Sequence, residues 1–166
     1  MIVINRKFFI LAGVTGLALL GLLTFFIKRH AIKEELTSAR VLACSGEIGS
    51  IDLFYIPYSV RTRTPVSPKQ LETIYQGKIH ADRQDIISEF CGRMRTVAVG
   101  VGFNVGFNAR WGVVGYTRKS DRYLSIYGDG SGRCSIGGIV FPCTNEMGVW
   151  VEKLFSAQVA PIKSGS

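Results

Sequence analysis

From Thr96 to Tyr116 the chain reads TVAVGVGFNVGFNARWGVVGY, and this stretch decides the fold class. Its odd positions are all apolar: Val97, Val99, Val101, Phe103, Val105, Phe107, Ala109, Trp111 and Val113. The even positions from Gly100 to Gly112 hold only Gly, Asn and Arg. Two-residue alternation is the pattern of β structure with one buried face. Seventeen extended residues reach roughly 55 Å, several times a usual strand, so the stretch predicts two strands rather than one. The break is expected near Asn104–Asn108, where GFN occurs twice and Asn and Gly tolerate the positive φ of a hairpin. The bare glycine face predicts that another backbone, that of the amphipathic helix, approaches closely. The segment is read as packed core, because the chain has too few such strands to close a membrane barrel.

Working outward, the preceding segment predicts a helix from about Asp82. Ile86, Ile87, Phe90, Cys91 and Met94 recur at three- and four-residue spacing, giving one apolar face. Acidic Asp82, Asp85 and Glu89 lie toward its start and Arg93 and Arg95 at its end, which suits the helix dipole. Earlier still, Ser67-Pro68-Lys69-Gln70 has the form of a capping box with Pro at the first helical position, opening a helix that ends near Gly77. Residues 40–43 and 50–57 read as two strands joined by CSGEIG. After the central stretch, Thr117–Asp121 reads as a charged turn, 122–127 as a strand, 128–132 as a tight loop and 134–141 as a return strand. Residues 145–155 read as a helix capped by Thr144. The sum is an α+β domain: a small antiparallel β-sheet with packed helices, preceded by a single N-terminal transmembrane helix.

That anchor is expected over 8–27, FFILAGVTGLALLGLLTFFI, twenty residues without a charge. At 1.5 Å per residue a helix of this length spans about 30 Å, the hydrocarbon thickness of a bilayer. The run exceeds the apolar core of a secretory signal, and no small-residue cleavage site follows it at the usual distance. Val41-Leu42-Ala43-Cys44 looks like a lipoprotein box but stands too far behind the apolar run. The expected organisation is therefore a tail at 1–7, the anchor at 8–27, a juxtamembrane stem at 28–39, an extracytoplasmic domain at 40–157 and a loose tail at 158–166. The expected location is the inner membrane, single-pass, with the C-terminal domain in the periplasm or outside the cell.

The net charge of +8 follows the same layout. Arg6, Lys7, Lys28, Arg29 and Lys33 bracket the apolar run, and from Glu34 onward 15 Lys and Arg face 12 Asp and Glu, leaving +3. Basic residues at helix ends contact anionic headgroups, so the lipid bilayer is the expected partner of this charge and nucleic acid is not.

Cysteines stand at 44, 91, 134 and 143, without the close pairs of a zinc site. Outside the cytoplasm two disulfides are the natural reading, Cys134 with Cys143 and Cys44 with Cys91. A dyad of His80 with Cys44 or Cys91 is disfavoured, since Cys91 lies on the apolar face of a helix. Asp129 between two glycines is a turn residue, because one carboxylate does not fill a calcium site. No cofactor, metal or catalytic residue is expected, and the chain is read as a non-enzyme.

The expected function is protein binding, with Arg61, Arg63, Arg118, Arg122 and Tyr123 as candidate partner-contacting residues. Tyr and Arg are the usual composition of interface hot spots. The specific expectation is an immunity or inhibitor protein that occludes a toxic effector. The alternatives are a structural subunit of a bacterial envelope complex, secretion or pilus-like, and a small cysteine hydrolase. An apolar helix leading to a sheet with a late disulfide shares the outline of pilin-like subunits, but the glycine and glutamate of a pilin leader are missing around Phe8.

Overall fold

The computed structural model describes the backbone of residues 6–99 and 106–159, and the side chains of 23–99 and 106–157. It divides into two compact units, Met1–Glu34 and Glu35–Ser166. Helix α1 (Arg6–Cys44) begins in the first and ends in the second. Among the described residues no helix is long and apolar enough to cross a membrane. The expected anchor at 8–27 lies largely outside the described side chains, as do the expected tails at 1–7 and 158–166.

The second unit holds β1 (Ile48–Tyr55), α2 (Pro68–Ile74), β2 (Gly77–Ala81), α3 (Gln84–Thr96), β3 (Trp111–Thr117), β4 (Arg122–Gly128), β5 (Arg133–Ile136), β6 (Ile139–Pro142) and α4 (Glu146–Val159). The six strands form one antiparallel sheet in the order β2-β1-β3-β4-β5-β6. With helices packed on it, the domain is α+β.

Residues 51–56 are all buried, so both faces of β1 are covered. Parity separates the two layers. On one face Tyr55 stacks on Phe155 of α4, while Phe90 of α3 stacks on Trp150 of α4. Ile51, Leu53, Val113 and Ile126 complete that layer. On the other, Phe54, Ile56, Val66, Leu71, Ala109, Val114 and Tyr127 form a cluster under α2. Gly112 makes this second layer possible. A Cβ there would stand 2.6 Å from the Tyr127 ring and 3.3 Å from Leu71. The expected close approach to the glycine face is thus made by side chains.

Several elements differ from the sequence expectation. Residues 40–43 are the last turn of α1 and not a strand: Leu36, Ala39 and Ala43 are buried at helical spacing, and Gly46 at φ 80° follows the helix. Arg40 donates to the backbone carbonyls of Met94 and Val97 at the end of α3. Residues 77–81 form an edge strand where the sequence predicts a helix end near Gly77 and a loop through His80. The return strand over 134–141 is a hairpin, β5–β6, turned by Gly137 and Gly138, both at positive φ. Of the long alternating stretch, Trp111–Thr117 is a strand and Val99 makes an isolated bridge to Cys143. The expected break near Asn104–Asn108 begins at residues outside the described ones.

Both expected disulfides are present. Cys44–Cys91 joins α1 to α3, and Cys134–Cys143 joins β5 to the residue following β6. All four cysteines are thus paired.

Candidate functional site

The sheet face that carries α2 is polar where α2 does not cover it. Its centre is Asp52, a carboxylate between Ile51 and Leu53 on the doubly covered strand, with its side chain only 8% exposed. Register explains its neighbours. Antiparallel pairing sets Asp52 opposite His80 and Phe54 opposite Lys78 on β2. His80 Nδ1 lies 2.7 Å from Asp52 Oδ1, and Lys78 Nζ lies 2.9 Å from Oδ2 and 5.4 Å from the centroid of the Phe54 ring. On β3, Tyr116 lies close enough to feel the same carboxylate. Burial pushes the Asp52 carboxyl up, but the hydrogen bonds and charges of His80 and Lys78 outweigh it and hold it below the ordinary range. The bond to Asp52 raises Lys78 in turn. Tyr116 is raised by burial first and by Asp52 second.

A second carboxylate adjoins the first. Glu72 of α2 receives a two-pronged ion pair from Arg122, Nη1 to Oε2 at 3.0 Å and Nη2 to Oε1 at 2.9 Å. The Tyr127 hydroxyl donates to the same Glu72 and accepts from Arg122. Burial raises Glu72, yet the bonds from Arg122 and Tyr127 leave it below its ordinary value. Tyr127 is pushed up to about 12, chiefly by burial and then by Glu72. Both carboxylates therefore stay ionised and hold their partners in fixed geometry.

Arg122 reaches this face through an irregularity. Gly115 pairs with Leu124, but Tyr116 pairs with Arg122, so two residues of β4 oppose one of β3. The extra residue is Tyr123. Such a bulge re-aims the side chains that follow it, and here it places Arg122 beside Tyr116 and Tyr127. Strict alternation would instead have grouped Tyr123 with Tyr127.

The five sequence candidates are thus scattered. Arg122 joins the network. Tyr123 is half-buried and, with Glu35 and Ser38 of α1, lines a cleft of about 200 Å³. Arg118 is exposed in the turn after β3, its backbone packed on Gly49. Arg61 and Arg63 are exposed on the loop following the other end of β1, roughly 20 Å away along an extended strand. The structure does not bring the two arginine pairs together. Sequence reasoning missed Asp52, Glu72 and Lys78, and it set His80 aside as a surface residue. The available signal was Asp52 itself, an acid inside an otherwise apolar strand.

Asp129 is a turn residue, as expected: its carboxylate accepts from the backbone N–H groups of Ser131 and Arg133 and from the Arg133 side chain. Among the described residues no group of three His, Cys, Asp or Glu could hold a metal ion. Comparison of the chain with protein-family models, with curated proteins and with solved structures finds no match.

Proposed function

We propose that this protein is a membrane-anchored, extracytoplasmic protein-binding module that neutralises a toxic effector by occluding it, and that the face built on Asp52 and Glu72 is its docking surface. The carrying observation is the network itself. Lys78, His80, Tyr116, Arg122 and Tyr127, from three strands, are fixed by two buried or half-buried carboxylates on an otherwise small sheet. A rigid surface of Tyr, Arg and satisfied charge loses little side-chain freedom on binding and rejects partners of the wrong charge pattern. The two disulfides support an oxidising compartment. In the first unit, Leu23, Phe25, Phe26 and Ile27 are each more than half exposed. Lipid accommodates such apolar surface and water does not, which supports the anchor at 8–27.

Exposed Arg118 borders this face, whereas Arg61 and Arg63 lie away from it. Arg118→Glu is expected to weaken the isolated protein–effector complex by about tenfold or more. Arg61→Glu/Arg63→Glu is expected to leave affinity within about twofold. Calorimetric titration with the effector captured from oxidised envelope checks both. The reverse ranking would move the surface to the loop before α2, and equal wild-type affinity for both variants would remove the sheet face from the account.

The second reading, a structural subunit of an envelope complex, is favoured by one observation. The last turns of α1, 35–44, belong to the sheet domain, with Leu36, Ala39 and Ala43 buried and Cys44 disulfide-bonded. Crosslinked species that are multiples of this chain, or a fixed set of envelope proteins, would select it.

A further inference from the structure

A groove of about 530 Å³ lies where the end of β1, the start of β2 and α4 meet, away from the polar sheet face. Tyr55, Pro57, Gly77, Glu152 and Phe155 line it. Tyr55 and Phe155 are stacked with ring centroids 5.4 Å apart, and Tyr58 stands edge-on to Tyr55 at 6.0 Å. The groove wall depends on Gly77, since a Cβ there would come within 2.6 Å of the Phe155 ring.

Glu152 is the one charged group of this lining, half-buried and in reach of the Tyr55 hydroxyl. Burial first, and the Glu152 carboxylate second, raise Tyr55 well above its ordinary value, so its hydroxyl stays protonated. Burial and the same carboxylate push Tyr58 up to about 12. Elsewhere in the domain the partly or fully buried carboxylates Asp52, Glu72 and Asp129 each meet a cation. Among the described residues Glu152 forms no such pair, which leaves its acceptor capacity open to a cation.

We propose that this groove receives a Lys or Arg side chain of the partner protein, a proposal that rests on the protein-binding reading above. The aliphatic stem lies along Tyr55, Pro57 and Phe155, and the charged head completes the pair with Glu152. Charge complementarity selects this occupant: apart from the neutral Gln76 and Ser156 the walls are mainly apolar, the single charge is negative, and the groove opens to solvent.

Small probes read the groove without any partner. Full-length oxidised protein in detergent micelles is titrated with N-acetyl-lysine amide, N-acetyl-arginine amide and neutral N-acetyl-norleucine amide, following the ring NMR signals of Tyr55 and Phe155. The cationic probes are expected to give saturable shifts, with the norleucine probe about tenfold weaker. Glu152→Gln is expected to abolish that preference while the ring signals keep their native dispersion, which shows that the variant is folded. Equal binding of the neutral probe, a preference that survives Glu152→Gln, or no saturable shift would overturn the proposal. So would probe binding that appears only after deletion of residues 160–166, which would give the groove to the chain's own C-terminal segment, or probe-free shifts that grow with protein concentration, which would give it to a second copy. Failure here removes the groove alone, while the protein-binding reading stands or falls on the Arg118 and Arg61/Arg63 comparison.

Discussion

Asp52 sits where strand physics alone would place another apolar residue, and its environment makes ionisation favourable despite burial. Its depressed acidity has a definite sign in stability. A carboxylate whose folded value lies below its unfolded one stabilises the fold above the ordinary carboxylate range, near pH 4, and loses that contribution as pH falls through the depressed value. Glu72 acts in the same direction. Denaturant midpoints measured between about pH 7 and pH 2 are therefore expected to be flat above the carboxylate range and to fall below it. Asp52→Asn is expected to cost about 1.5–3 kcal/mol at neutral pH and to flatten part of the acid slope. An unchanged slope would show that Asp52 is not ionised in the fold. Gly112 gives a complementary test of packing. Gly112→Ala drives a Cβ into the Tyr127 ring, with an expected loss of about 1–3 kcal/mol and a shift of Tyr127 away from Glu72, visible in melting temperature and near-ultraviolet dichroism.

At the level of elements, the bulge in β4 and the two disulfides do separate jobs. Deleting Tyr123 removes the extra residue and leaves Arg122 directly before Leu124, opposite Tyr116 in regular register and on the same face. The expected outcome is a folded protein that keeps the Arg122–Glu72 pair, with Glu72 still titrating below its ordinary range by NMR, and a raised Glu72 titration would contradict this register. The disulfides differ in the loops they close. Cys44–Cys91 spans a sequence separation of 47 and Cys134–Cys143 one of 9. In the chain-entropy account they contribute about 4 and about 3 kcal/mol. Removing the first pair by Cys→Ser is expected to lower the denaturation midpoint more than removing the second, and the opposite ranking would point to local strain instead.

How far the sequence carried depended on the range of the signal. Signals contained in one helix were legible: the box Ser67-Pro68-Lys69-Gln70 closes as expected, with Ser67 and Gln70 bonding reciprocally. The apolar face of α3 was legible for the same reason, with Ile87, Phe90 and Met94 buried. Residues 77–81 alternate polar and apolar, but five residues beside two helices are too few to reveal a strand. Residues 40–43 are apolar enough for either state, and only packing of Leu36, Ala39 and Ala43 decides for helix. Gly137-Gly138 is a turn signal inside the 134–141 run, and it marks the hairpin. The candidate site was the least legible part. Asp52 and His80 stand 28 residues apart, Glu72 and Arg122 stand 50 apart, and both meetings depend on register and on a bulge that composition does not announce.

For the whole molecule, the account is an anchored sheet domain that offers one pre-arranged face to another protein. Its most direct test is site-specific photocrosslinking in the intact oxidised envelope. A benzophenone amino acid is placed at Tyr116, on that face, and separately at exposed Arg63 on the loop before α2. The account predicts one discrete adduct with a secreted effector from position 116 and none from position 63. Adducts from position 63 alone, or the same products from both positions, would contradict it.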